Sequence, residues 1–100
     1  MNGFDIAINY PKTIMQANKL KRIAGDCRDV KKDVHKQISY IEDNWLGKTG
    51  DSLADKLRLL EKKTESVADK LEDVAETIKS IANMIKELDE ASSERIENMK

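Results

Sequence analysis

The second half of the chain carries a regular apolar repeat that restricts the fold more than any other feature of the sequence. Its members follow one another at alternating steps of four and three residues, and only Thr64 is polar. Such heptad spacing predicts a helix over residues 52–90 that packs against other helices. The repeat consists of Leu53, Leu57, Leu60, Thr64, Val67, Leu71, Val74, Ile78, Ile81, Ile85 and Leu88. Alanines beside it widen the apolar side, which favours a bundle with two or more neighbours per helix.

The first half of the chain contains a second amphipathic segment. Apolar residues recur at steps of three and four from Ile14 to Trp45, which predicts a helix over residues 11–44. Pro11 fits the first turn, where its missing N–H group costs nothing. Ahead of it, apolar and polar residues alternate from Phe4 to Tyr10, so we expect residues 1–10 to form an extended arm that packs on the helices.

Residues 45–51 separate the two helices and predict a bend. Gly47 suits the positive φ angle that often follows a helix, and Asp51 and Ser52 could cap the next one. The fold class predicted is therefore all-α, an antiparallel two-helix hairpin with Trp45-Leu46-Gly47 at the bend. After Glu90 the apolar spacing weakens, so residues 91–100 are expected to be a frayed helix or disordered.

The composition excludes several classes of protein. Aromatic residues make up 4% and charged residues 37% of the chain, which is typical of long helices and unlike an α/β enzyme. A net charge of −1 gives no reason to expect a nucleic-acid partner. No group of residues has the spacing of a catalytic, cofactor or metal site, so no enzyme activity and no cofactor are predicted. No membrane span or signal peptide is predicted either.

One hairpin would leave much of its wide apolar surface in water. Because burial of that surface must offset the entropy of ordering a long rod, we expect two hairpins to pair into a four-helix bundle. The partner is either a second copy or a similar helical hairpin. The predicted dimer or bundle core consists of Leu20, Cys27, Val34, Ile41, Leu57, Leu60, Val67, Leu71, Val74, Ile78, Ile81, Ile85 and Leu88.

A chain of about one hundred residues with Trp45-Leu46-Gly47 between two long helices resembles the WXG family of small, ESAT-like helical hairpins. The resemblance implies a substrate or co-secreted partner of a type VII (Esx-type) secretion system in Gram-positive or mycobacterial cells. It implies a cytoplasmic protein that is secreted without a signal peptide. The partners it implies are another hairpin and the secretion ATPase, which would sense Trp45 and Gly47.

The family's mycobacterial export motif, Tyr-x-x-x-Asp/Glu after the second helix, is absent, since no Tyr follows Tyr40. A looser apolar version is offered by Ile85, Asp89 and Ile96, although Ser92 replaces an apolar residue in it. Two alternatives therefore stay open. One is a retained cytoplasmic adaptor or chaperone that binds the helical N-terminal segment of a larger toxin, and the other is a structural coiled-coil module.

Individual residues also allow two interpretations. Trp45 is either a recognition residue or an apolar plug that closes the bend. Gly25 either marks a close helix crossing or is simply tolerated within the helix. Thr64 either fixes the register of the bundle or bonds to its own helix. We expect Cys27 to be a small core residue and His35 to be solvated.

Overall fold

The computed structural model describes residues 9–98, with side chains described up to residue 91. It consists of two antiparallel helices, α1 (Tyr10–Asn44) and α2 (Lys48–Asn98), joined by residues 45–47. Together they form a rod with extents of 81 × 19 × 16 Å. This confirms the all-α hairpin. No strand occurs between residues 9 and 98.

The start of α1 agrees with the local chemistry of the sequence. The Asn9 side chain accepts a hydrogen bond from the Lys12 N–H at 3.1 Å, and Pro11 lies in the first turn. Asn9 thus caps the helix. Because Tyr10 already belongs to α1, the arm predicted for residues 1–10 ends at Asn9 at the latest. Residues 1–8 lie outside the described part of the chain.

The second helix is longer at both ends than the sequence predicted. It begins at Lys48 rather than 52, and it runs past 90 to Asn98. Asp51 and Ser52 therefore do not cap it; they lie within its first turns. The predicted tail of residues 91–100 is helical as far as Asn98. Asp89 therefore lies within α2 and not at its C-terminus, so its negative charge is not placed against the negative end of the helix dipole.

The contact between α1 and α2 is made mainly by alanines. The most deeply buried residues of the described chain are Ala17, Ala24, Ile38, Ile41, Ala54, Ala68, Ala75 and Ala82. Most recur every seven residues, so they form one row on each helix, which we call the alanine row. Small side chains let the two backbones approach closely. The prediction from the sequence that the alanines lie beside the main contact was wrong.

The larger residues of the heptad repeat lie to one side of the alanine row. Leu57, Leu71, Ile78 and Ile85 are half-buried, as are Leu20, Cys27 and Val34 on α1. The next residues outward on α2 are exposed in the hairpin, with exposed fractions from 45% to 61%. This outer row consists of Leu60, Val67, Val74, Ile81 and Leu88. Within the single hairpin these five residues are not core; their place in a bundle core stays a prediction.

Candidate functional site: the bend, the apolar face and the end of α2

The bend presents its two large apolar side chains to solvent. Trp45 is 48% exposed and Leu46 is 90% exposed, so within one hairpin the indole does not plug the bend. The Trp45 N–H donates to the Ile41 carbonyl at 2.7 Å and ends α1. The exposed tip is therefore held by helix geometry, with its side chains free for contact with another molecule.

Two glycines determine the path of the bend. Gly47 has a φ angle of 101°, as the sequence predicted, and its carbonyl accepts from the Asp51 N–H at 3.1 Å to begin α2. Gly50 is buried in the first turn of α2, where an added Cβ would lie 2.2 Å from the Trp45 carbonyl oxygen. Gly50 was not predicted from the sequence to be important. Its requirement arises from a close approach between two segments that spacing alone does not reveal.

One side of the hairpin is apolar along its length, and we call it the apolar face. It combines the outer row and the half-buried residues of α2 with Leu20, Cys27 and Val34 of α1, and it includes Ile23 and Val30, which are 40% and 52% exposed. No residue between 9 and 91 of this chain covers it. A continuous exposed apolar strip of this kind marks an interaction surface.

The opposite side of the hairpin is held by ion pairs, and we call it the polar edge. Arg28 contacts Asp69 at 2.9 Å and Glu72, and Lys31 contacts Glu65 at 3.3 Å. On α2 each residue of the outer row comes one position before a position of the alanine row in the sequence. Glu65 and Glu72 each come four positions after a position of the alanine row. The two groups thus lie on opposite sides of the helix contact. Lys21 also pairs with Glu76 across the two helices.

The ion pair between Lys21 and Glu76 shifts the pKa values of the two side chains in opposite directions. The pKa of Lys21 is raised because its ammonium donates a hydrogen bond to the Glu76 carboxylate. The same hydrogen bond lowers the pKa of Glu76. The guanidinium of Arg28, bonded to Glu72 and Asp69, also has its pKa raised. These groups keep their charges at neutral pH and fix how α1 and α2 align.

His35 is exposed, as the sequence predicted, with 70% of its side chain accessible to solvent. Its Nδ1 lies 2.7 Å from Oε1 of Glu61, which occupies an alanine-row position and is itself half-buried. Thr64 donates to the Leu60 carbonyl of its own helix at 2.8 Å, the second of its two interpretations. Gly25 is exposed and no atom would lie within 4 Å of an added Cβ, so it marks no close crossing.

At the end of the hairpin opposite the bend, Tyr10 of α1 contacts α2. Its hydroxyl donates to Oδ1 of Asn83, and the Lys86 Nζ lies 4.5 Å from the centre of its ring. The α2 helix continues for twelve residues beyond Lys86, about 18 Å at 1.5 Å per residue. Three recognition residues were predicted near the end of α2. Ile85 is half-buried and Asp89 is exposed, and the Ile96 side chain lies outside the described residues.

Neither helix of the described chain has an apolar stretch long enough to cross a membrane. Between residues 9 and 91, no group of His, Cys, Asp and Glu side chains has the arrangement of a metal site. A groove of about 700 Å³ on the polar edge is lined by Arg28, Lys31, Lys32, His35, Lys36, Glu61 and Glu65. It is an open groove, and the side chains that line it are charged or, at His35, ionisable.

A two-helix hairpin with Trp-x-Gly at its tip defines a class of small helical proteins. The family model described as "Proteins of 100 residues with WXG" (WXG100) matches residues 5–90. The chain belongs to the WXG100 family, whose members are small, non-enzymatic helical proteins associated with type VII secretion. No curated protein and no solved structure that was compared with this chain matches it.

Proposed function

We propose that this protein is a substrate or co-secreted partner of a type VII secretion system and acts as a dimer of helical hairpins. Family membership supports the link to that system. The single observation that carries the mechanism is the bend, where Trp45 and Leu46 are exposed on a rigid tip. A side chain of this size held in water at a fixed position is suited to recognition by another protein.

The proposed recognition surface has two parts. The first is Trp45-Leu46-Gly47 at the bend, and the second is the end of α2 with Ile85, Asp89 and Ile96. The secretion ATPase is the proposed reader of both. The uncovered apolar face supports the dimer, since pairing removes the exposed outer row from water at about 25 cal/mol per Å² buried. A larger toxin is a further proposed partner, carried through the same machinery.

Export of a Trp45 variant tests this function. We expect Trp45→Ala to retain the helix content and molar mass of the wild type, because half of the indole is already in water. The variant should nevertheless disappear from the culture supernatant while accumulating in cells. Tyr40→Ala is the matched control, since Tyr40 is also an exposed aromatic residue but lies on α1, five residues before Trp45 and outside the bend.

The readout is the ratio of supernatant to cell-associated protein, with a cytosolic marker that must stay in the cells. If wild-type protein stays inside and co-purifies with a larger exported protein, the retained adaptor is the correct function instead. If Trp45→Ala is exported as well as Tyr40→Ala and wild type, the bend is not a recognition site and the proposed mechanism is wrong.

A further inference from the structure

The alanine row is interrupted once on each helix. Between residues 17 and 38 on α1 and between residues 54 and 82 on α2, every seventh residue is an alanine or an isoleucine with an exposed fraction of 3% or less, apart from Lys31 and Glu61. These two are half-buried charged residues at positions where the backbones otherwise approach closely. A charged side chain in such a position costs stability unless its charge is paired and its length is accommodated outside the contact.

Both charged side chains reach the polar edge. The Lys31 Nζ lies 3.3 Å from Oε2 of Glu65, and Oε1 of Glu61 lies 2.7 Å from Nδ1 of His35. The two contacts show that these parts of α1 and α2 lie side by side. At this height along the rod, four ionisable side chains replace the small residues of the alanine row.

We call this segment the charged break; it consists of residues 31–36 of α1 and residues 61–66 of α2. The groove of about 700 Å³ on the polar edge lies over it, since every residue that lines the groove except Arg28 belongs to the break. The contact between the helices is therefore close on both sides of the break and open between them. Such an interruption divides the hairpin into two packing units.

The first unit lies between the break and the bend, and we call it the bend unit (residues 37–60). Its core contains Ile38 and Ile41, with exposed fractions of 3% and 6%, together with Ala54. Three partly buried side chains pack against this core, namely Val34, Leu53 and Leu57. A buried isoleucine removes several times more apolar area from water than a buried alanine does. The bend also joins the two helices covalently here, so this unit is the more firmly held.

The second unit lies on the other side of the break, and we call it the open unit (residues 10–30 and 67–86). The buried residues that the structure describes there are all alanines: Ala17, Ala24, Ala68, Ala75 and Ala82. Its larger apolar side chains are at most half-buried in the hairpin, and the Lys21–Glu76 ion pair is partly in water. Exposed ion pairs add little stability. Because the helices are not joined on this side, their separation begins here.

We infer that the hairpin opens in two steps. The helices part from the end opposite the bend as far as the charged break, while the bend unit remains assembled. Lys31 and Glu61 set the boundary, because their charged side chains interrupt the close contact that would otherwise couple the two units. The inference concerns the stability of the hairpin itself and does not rest on the proposed function.

An opening that stops at the break changes only one end of the molecule. Trp45 and Leu46 keep their geometry, since both belong to the bend unit. The inner sides of the open unit become accessible, so its alanine row on α2 is then available to a helix of another protein. The hairpin thus combines an ordered tip with an end whose helix contact can be exchanged.

Hydrogen exchange of the backbone amides in the purified full chain, at one protein concentration, measures the two openings separately. Amides of residues 38–44 and 54–60 should exchange about 10-fold or more slowly than those of residues 17–30 and 68–82. The change in rate should fall at the break on both helices. Equal protection of the two units would show that the hairpin opens as a whole and would overturn the inference.

Two core variants distinguish stepwise opening from a local difference in helix stability. Ile38→Val weakens only the bend unit, so it should accelerate exchange about 3- to 10-fold in that unit and leave the open unit unchanged. Ala75→Gly weakens the open unit, which separates in both openings, so it should accelerate exchange about 5-fold in both units. If Ile38→Val accelerates exchange equally in both units, the two steps do not exist.

Filling the break tests whether it sets the boundary. Lys31→Ala/Glu61→Ala continues the alanine row through the break without changing the net charge, and the difference in exchange rate between the two units should fall about 3-fold or more. The control Lys32→Ala/Glu87→Ala removes the same two residue types at exposed positions outside the row and should preserve the difference. An undiminished difference in Lys31→Ala/Glu61→Ala would contradict the role inferred for the break.

Discussion

At the scale of single residues, the bend depends on a close approach at Gly50. The backbone of Trp45 lies against the first turn of α2, and only a residue without a Cβ fits between them. Gly25, by contrast, lies in the exposed middle of α1 with open space around it. The two glycines therefore have opposite roles, although the sequence does not distinguish them.

We predict opposite effects of alanine at these two glycines. Gly50→Ala should destabilise the hairpin by about 2 kcal/mol or more, because the new methyl group forces backbone atoms apart. Gly25→Ala should stabilise it by about 0.5–1 kcal/mol through lower unfolded-state entropy and higher helix propensity. Chemical denaturation at equal protein concentration measures both. A Gly50→Ala protein as stable as wild type would show that the bend is not packed as described.

The Lys21–Glu76 pair gives stability a defined pH dependence. The pKa of Glu76 is lowered in the fold, so its contribution is complete above its ordinary value of 4.5 and is lost as pH falls through the lower folded value. The pKa of Lys21 is raised, so its contribution is complete below its ordinary value of 10.5 and is lost as pH rises above that. Glu76→Gln should flatten the acid side of the profile of melting temperature against pH. Asp73→Gln, one turn away, is the control and should leave that side unchanged.

Residue chemistry allowed part of the bend to be predicted. The positive φ of Gly47 follows from its place after a helix, and Pro11 in a first turn follows from its missing N–H group. The start of α2 could not be placed, because Asp51 and Ser52 are good caps in isolation. The helix starts earlier because Gly47 itself accepts its first hydrogen bond.

At the scale of the helices, the close contact is made by the alanine row. Its members are almost fully buried, whereas the larger outer row one residue away is half in water. The sequence showed that both rows belong to one wide apolar side. It could not show which row faces the other helix of the same chain, since both rows have the same seven-residue spacing. In the structure Arg28 and Lys31 form ion pairs with α2 on the side of the helix contact opposite the outer row.

A pair of neighbouring substitutions tests this arrangement. Ala68→Leu should destabilise the hairpin by about 1–3 kcal/mol, because a larger side chain in the close contact separates the helices. Val67→Leu adds volume one position away, where the side chain is 49% exposed, and should change the stability by less than about 0.5 kcal/mol. Thermal unfolding followed by circular dichroism compares them. Equal losses for both variants would contradict the assignment of the two rows.

At the scale of the whole molecule, the two long sides of the hairpin differ in chemical character. The polar edge joins α1 to α2 within one chain, and the apolar face remains uncovered by the described residues. The width of the apolar repeat predicts a second hairpin, and this stays a prediction. The relative height of α1 and α2 needed the structure, because it follows from the Lys21–Glu76 and Arg28–Asp69 contacts.

The molar mass of the purified protein, measured by light scattering on a size-exclusion column at micromolar concentration, tests the central claim most directly. If a second copy covers the apolar face, the mass should be about twice the 11.4 kDa of one chain. It should fall toward that of one chain when Val74→Asp places a charge in the middle of the exposed outer row. A wild-type protein that is fully helical, unfolds cooperatively and has the mass of a single chain would contradict the account.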